Sequence, residues 1–144
     1  MNMWTCPDCN RTFANRNQSH FCGSIIELDT HFARRDPRVR SLFDRFVEHV
    51  RSLGPVEILP EKTRIAFHVR MSFAVLSPRT HSLVGHFVLA RRVEHPMFTR
   101  VETFSKRNHL HAFRIEDESD FDAEFLSFLA EAYAVGEQKH LSDP

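Results

Sequence analysis

VEILPEKTRIAFHVRMSFAVL, residues 56–76, decides the fold class. Apolar residues come here in short runs rich in Val, Ile and Phe, with Pro60-Glu61 as a break, and they do not recur at helical spacing. That is the signature of strands joined by tight turns. Further breaks at Ser77-Pro78, His95-Pro96 and Lys106-Arg107-Asn108 divide the following chain into more runs of the same kind. The pattern predicts strands near 56–59, 63–69, 71–76, 82–91, 98–104 and 109–115. Most should be antiparallel neighbours, because the connections are too short for crossovers.

Helical signals bracket this run. Asp36-Pro37 caps and opens a helix that Gly54-Pro55 stops, with Leu42, Phe43, Phe46, Val47, Val50 and Leu53 as its buried stripe. A second helix is expected from Ser119, as cap with Asp122 in the reciprocal position, through Phe121, Phe125, Phe128, Leu129, Ala132 and Tyr133 to Gly136. Two amphipathic helices flanking five to six strands imply an α+β body, with both helices on one face of an antiparallel sheet. Residues 1–23 read as a small zinc knuckle, 24–36 as a connector carrying Ile25, Ile26, Leu28 and Phe32, and 37–144 as the α+β domain.

A chain of 144 residues is long enough for one such body without covalent staples. Fourteen Phe against one Trp and one Tyr point to a core padded with rings. There is no run of about 18 apolar residues for a membrane span, and the N-terminus lacks a secretory signal pattern. The expectation is a soluble, cytoplasmic protein with no membrane partner. Its three cysteines all precede residue 23 and cannot make a complete disulfide framework, which suits a reducing compartment and metal binding.

Cys6, Cys9, His20 and Cys22 form the pattern C-x2-C-x10-H-x-C. Zinc takes four N or S ligands tetrahedrally, and a CxxC turn supplies half of that shell. The one-residue gap between His20 and Cys22 is shorter than the usual finger spacing, so His31 is an alternative ligand; a chance cluster of thiols is the competing reading. Four ligands leave no open position, so the zinc is expected to be structural, contributing about 10 kcal/mol or more to folding a short segment.

The net charge of zero hides a segregation. Residues 60–111 carry nine Lys or Arg against three acids and hold six of the ten histidines, whereas residues 112–144 carry two against nine. In the strand at 63–69, alternation puts Ile65, Phe67, Val69 and Met71 on one side and Arg64, Ala66, His68 and Arg70 on the other, with Lys62 just before. His86 alternates with Val84, Val88 and Ala90, His109 and His111 share a strand face, and Arg91, Arg92, Arg100 and Arg107 fall at strand ends. A sheet face lined by Lys62, Arg64, His68, Arg70, His86, Arg91, Arg107, His109 and His111 points to an anionic partner: phosphate, carboxylate or a nucleic-acid backbone.

The competing reading is a solvated face whose arginines pair with Glu61, Glu94, Glu102 and the acidic last helix. Neutral overall charge also counts against strong nonspecific DNA binding. No nucleophile elbow, phosphate-binding glycine loop or H-E-x-x-H is present, so the first expectation is a non-enzymatic, zinc-bearing binding module. The alternatives are a small enzyme or small-anion receptor, with Arg64, Arg70 and Arg91 as clamp and His86, His109 or His111 as acid or base, and a protein-protein adaptor working through the zinc segment.

The stretches Trp4-Thr5-Cys6-Pro7-Asp8-Cys9, Asn17-Gln18-Ser19-His20-Phe21-Cys22, His31-Phe32 and Gly54 to Phe67, with Arg70-Met71-Ser72-Phe73-Ala74 and Ala132-Tyr133-Ala134-Val135-Gly136, resemble the bacterial domain-of-unknown-function family numbered 5655. The resemblance implies a bacterial protein of α+β fold and brings no catalytic assignment. Asn10 stands where such a knuckle more often has Gly.

Overall fold

The computed structural model describes residues 3–5, 7, 12–13 and 28–138. At the N-terminus β1 (Trp4–Thr5) and β2 (Thr12–Phe13) pair antiparallel, Trp4 opposite Phe13 and Thr5 opposite Thr12. After a 3-10 turn at Leu28–Phe32, α1 spans Pro37–Leu53 as the caps predict. The Asp36 carboxylate accepts from the Arg38 amide at 2.9 Å, satisfying one of the first-turn donors. Gly54 ends the helix with φ +151°, a conformation open mainly to glycine. A Cβ there would also collide with the Tyr133 hydroxyl, which donates to the Pro55 carbonyl at 2.8 Å and ties the end of α1 to the last helix.

The six expected strands form: β3 (Glu57–Pro60), β4 (Ile65–His68), β5 (Ser72–Pro78), β6 (Leu83–Leu89), β7 (Arg100–Ser105) and β8 (Asn108–Ile115). They make one antiparallel sheet in the order β3-β4-β5-β6-β8-β7. The last hairpin folds back, so β8 pairs with β6 and β7 becomes the edge.

The second helix differs from expectation at its start. α2 spans Ala123–Gly136 and its cap is Asp122, whose carboxylate accepts from the Phe125 amide at 2.8 Å. Ser119 lies in a separate 3-10 turn, Glu118–Asp120, capped by Asp117, which accepts from the Ser119 amide at 2.9 Å. Two acids compete here as caps, and each closes its own turn.

Both helices lie on one face of the sheet, as expected. Their buried residues, including Phe43, Phe46, Phe125 and Leu129, share one core with Ile65, Phe67, Leu76, Leu83, Phe87, Leu89, Phe113 and Ile115. Rings dominate it: Phe46 meets Phe67 edge-on at 4.9 Å, and Phe87 lies 4.5 Å from Phe113 and 5.1 Å from Phe125. Leu59, Ala66 and Val75 form a second, small cluster. By strand alternation it lies on the opposite face of the sheet.

Candidate anion site on the helix-free sheet face

Cross-strand register assembles the site. One row runs Leu59, Ala66, Val75, His86, Ala112, Arg100 across β3 to β7, and the next contains Ser77, Val84 and Arg114. Residues opposite one another in a ladder share a face, and Ala66 and Val75 fix this one as the face away from the helices. His86 is therefore near the middle of that face. Arg64, just before β4, stands on one side of it, and Arg100 and Arg114 stand on the other. At about 4.8 Å per strand, β4 and β8 are roughly 14 Å apart, a gap that arginine side chains can close from both sides.

The result is a basin of about 510 Å³ lined by Arg64, Arg79, Arg100, Arg114, His86 and Thr99 over a floor of Val75, Ser77, Val84 and Ala112. Gly85 lets the strands beneath that floor close up. A Cβ at this residue would run into the Val75 carbonyl and meet a Leu76 methyl at 2.8 Å, so only glycine fits between β5 and β6.

Two of the four arginines are oriented by acids. Arg64 Nε donates to Glu61 Oε1 at 2.9 Å, and Arg100 Nε lies 3.3 Å from Glu102 Oε1. Glu61 is itself 7 % exposed, so its carboxylate acts as a fixed anchor for Arg64. Arg79 and Arg114 are exposed and have no carboxylate partner among the described residues. His86 makes no hydrogen bond to another described residue. Burial, and then the nearby Arg64 and Arg100 charges, push its pKa down to about 4. At neutral pH it is an uncharged imidazole, able to donate at one ring nitrogen and accept at the other.

The structure disperses several of the other expected residues. His109 and His111 share a face, but it is the helix-covered one, because Phe113 and Ile115 in the same alternation belong to the core. His111 is fully buried: its Nε2 accepts from the Val93 amide at 2.9 Å, so Nδ1 carries the proton and donates to the His109 carbonyl at 2.9 Å. His109 bridges the Thr103 hydroxyl at 2.9 Å and the Lys106 carbonyl at 3.1 Å. Both imidazoles are committed to the β7–β8 hairpin and the segment beside it.

Arg91 is also removed from the sheet face, held by two bonds of 3.0 and 2.9 Å to Glu131 on α2. Arg70 lies in the β4–β5 turn, where its backbone amide donates to the Gly136 carbonyl at 2.9 Å, and Arg107 lies in the β7–β8 turn. His68 is buried beyond a bulge between Phe67 and His68, with Nδ1 3.4 Å from the Ser72 hydroxyl. Of the expected set, Arg64 and His86 line the basin, and Lys62 lines a neighbouring one.

Sequence reasoning missed Arg79, Arg100 and Arg114 as site residues. Arg114 is signalled by its alternation with Ala112 and Leu110, opposite in phase to Phe113 and Ile115. Arg100 carries no such signal, since only the placement of β7 beside β8 brings it opposite Ala112.

The expected zinc ligands Cys6, Cys9, His20 and Cys22 lie outside the described residues, although the β1–β2 ladder brackets the CxxC stretch. His31, the alternative ligand, is buried, with Nε2 2.6 Å from the Glu61 carbonyl. Among the described residues there is no cluster of three or more His, Cys, Asp or Glu that could hold a metal ion. Nor is any described helix long and apolar enough to cross a membrane.

The fold and the basin define an α+β domain with its helices on one sheet face and a basic depression on the other. The domain of unknown function DUF5655 matches residues 28–136, and the chain belongs to that family. No curated protein and no solved structure matches it.

Proposed function

We propose that the protein is a zinc-bearing, non-catalytic binding module that takes a phosphate-class anion in the basin around His86. The single observation that carries this reading is that four arginines line one basin with a histidine that burial and the Arg64 and Arg100 charges keep neutral. Guanidinium groups whose Nε is already held by an acid keep their outer N–H donors for a ligand, and such pre-oriented donors suit phosphate or carboxylate oxygens. A neutral imidazole adds a hydrogen bond. With a pKa of about 4, His86 is a poor general base at neutral pH, which favours binding over acid-base catalysis.

The test is calorimetric titration with pyrophosphate at two salt concentrations. Binding that weakens with salt and drops at least tenfold in Arg79→Ala plus Arg114→Ala is expected; no heat at low salt would sink the reading. Those two arginines are chosen because their removal strands no described carboxylate.

Zinc belongs to the same reading, supported by the ligand spacing in the sequence and by the two-stranded ladder that flanks Cys6 and Cys9. Elemental analysis should find one zinc per chain, retained through purification and lost in both Cys6→Ser and Cys9→Ser. Purified protein free of zinc would end that part of the proposal.

A further inference from the structure

A second depression, of about 420 Å³, adjoins the first at the end of the sheet, and Thr30, His31, Arg35, Lys62, Ser77 and Arg79 stand along it. Ser77 and Arg79 line both. The two depressions therefore adjoin, one at the centre of the helix-free face and the other past the end of β5, with Ser77 and Arg79 between them, and together they are treated as one trough. Along it stand Arg35, Lys62, Arg79, Arg64, Arg114 and Arg100. The carboxylates paired with them, Glu61 and Glu102, are turned to Arg64 and Arg100. A chain of zero net charge thus concentrates positive charge along one line.

A single phosphate can reach one end of such a trough but cannot use Arg35 and Arg100 together. We infer that the ligand is an extended phosphate chain, and specifically a single-stranded nucleic-acid backbone, with successive phosphodiesters spanning the two depressions across Arg79. This rests on the anion-binding reading of the basin. Two features favour a phosphodiester strand over inorganic polyphosphate. The floor of the first depression is aliphatic, with Val75, Val84 and Ala112 offering contact to carbon such as a sugar face. His86, uncharged and without a hydrogen-bond partner among the described residues, can bond a neutral hydroxyl as readily as a phosphate oxygen. Among the described residues the trough is lined by no Phe, Tyr or Trp ring apart from Phe113, whose side chain belongs to the core, so the contacts these residues offer are to backbone and sugar. Recognition would be of backbone, not sequence.

Fluorescence anisotropy with a labelled single-stranded oligonucleotide of about eight nucleotides, within the range one small domain covers, tests this on the full chain, beside calorimetry with pyrophosphate and with tripolyphosphate. Lys62→Glu, at an exposed side chain in the second depression, should weaken the oligonucleotide about tenfold and reduce the steepness of its salt dependence, with pyrophosphate affinity unchanged within about twofold. Arg35→Lys, which keeps the charge, should retain strand binding where Arg35→Gln loses it, and thermal melting of each variant separates loss of binding from loss of fold. Strand affinity indifferent to Lys62→Glu, or tripolyphosphate binding as tightly as the strand, would overturn the inference and leave the basin reading standing. Failure of the unaltered protein to bind pyrophosphate would instead remove the basin itself.

Discussion

His86 and His111 sit on adjacent strands, one residue out of register, and show two uses of one side chain. His111 faces the helices, commits Nε2 to the Val93 amide and Nδ1 to the His109 carbonyl, and packs edge-on against Phe98 at 4.8 Å. His86, opposite Ala112 rather than His111, faces away from the helices among arginines, with no hydrogen-bond partner among the described residues. Burial lowers the pKa of both. Neutrality alone therefore does not distinguish a structural imidazole from a binding one. The distinction lies in whether both ring nitrogens already have partners.

The largest expected effect tests that distinction through stability. His111→Ala leaves the Val93 amide unsatisfied and opens a cavity beside Phe98, and should cost about 3 to 4 kcal/mol in urea unfolding. His86→Ala should cost under about 1 kcal/mol while abolishing most anion affinity, because no protein hydrogen bond is lost. Equal destabilisation by the two substitutions would break the comparison.

Titration provides the next effect. An unfolded histidine has a pKa near 6.5, whereas His86 in the fold is held at about 4, first by burial and then by Arg64 and Arg100. The unfolded chain thus binds the extra proton between these values, so the contribution is complete above pH 6.5 and is lost as pH falls toward 4. The loss is on the order of 2 to 3 kcal/mol. His111, whose pKa is also lowered, adds in the same direction. His86→Asn should flatten the stability profile between about pH 6.5 and 4, and in the unaltered protein a bound phosphate, which offsets the arginine charge, should raise the His86 pKa and so reduce the loss of stability on acidification. An unchanged profile in the variant would show that His86 does not titrate as its surroundings require.

Much of this architecture is legible in the amino-acid sequence. Asp36-Pro37 and Gly54-Pro55 delimit α1 because capping and helix termination are local events, decided by a few neighbouring residues. The six strands follow from period and punctuation for the same reason. The site is less legible because it depends on partners distant in sequence. Alternation puts His109, His111, Phe113 and Ile115 on one face, and those last two could have marked that face as core, yet nothing local says that β8 inserts between β6 and β7. That insertion brings Arg100 into the row of His86, while the pairing of Arg91 with Glu131 on α2 removes a residue the strand ends had suggested. The Asp122 cap, in turn, escapes a local reading because several acids in succession offer equivalent signals.

Between the two histidine environments lies Gly85, whose missing side chain leaves room for the Phe113 ring on the helix side of the sheet, under the basin floor. Gly85→Ala places a methyl group against the Val75 carbonyl, a backbone atom that cannot swing aside, and should cost about 2 kcal/mol through displacement of β5 from β6. Because both sheet faces are tied to that ladder, anion affinity and thermal stability should fall together. In His86→Ala only the first falls.

The smallest effect concerns the arginines themselves. Arg114 is exposed, has no carboxylate partner among the described residues and shares the basin with Arg64, Arg79 and Arg100. Its charge is repelled by its neighbours in the absence of ligand, and surface ion pairs of ordinary proteins contribute only about 0 to 1 kcal/mol even when attractive. Arg114→Gln should therefore change stability by less than about 0.5 kcal/mol, in the stabilising direction, and that gain should shrink as salt screens the repulsion. Pyrophosphate binding should nonetheless weaken, so the same substitution would move stability and affinity in opposite directions. Residues kept for folding do not behave this way: removing Arg91, which is bonded twice to Glu131, should lower stability slightly and leave pyrophosphate affinity unaltered.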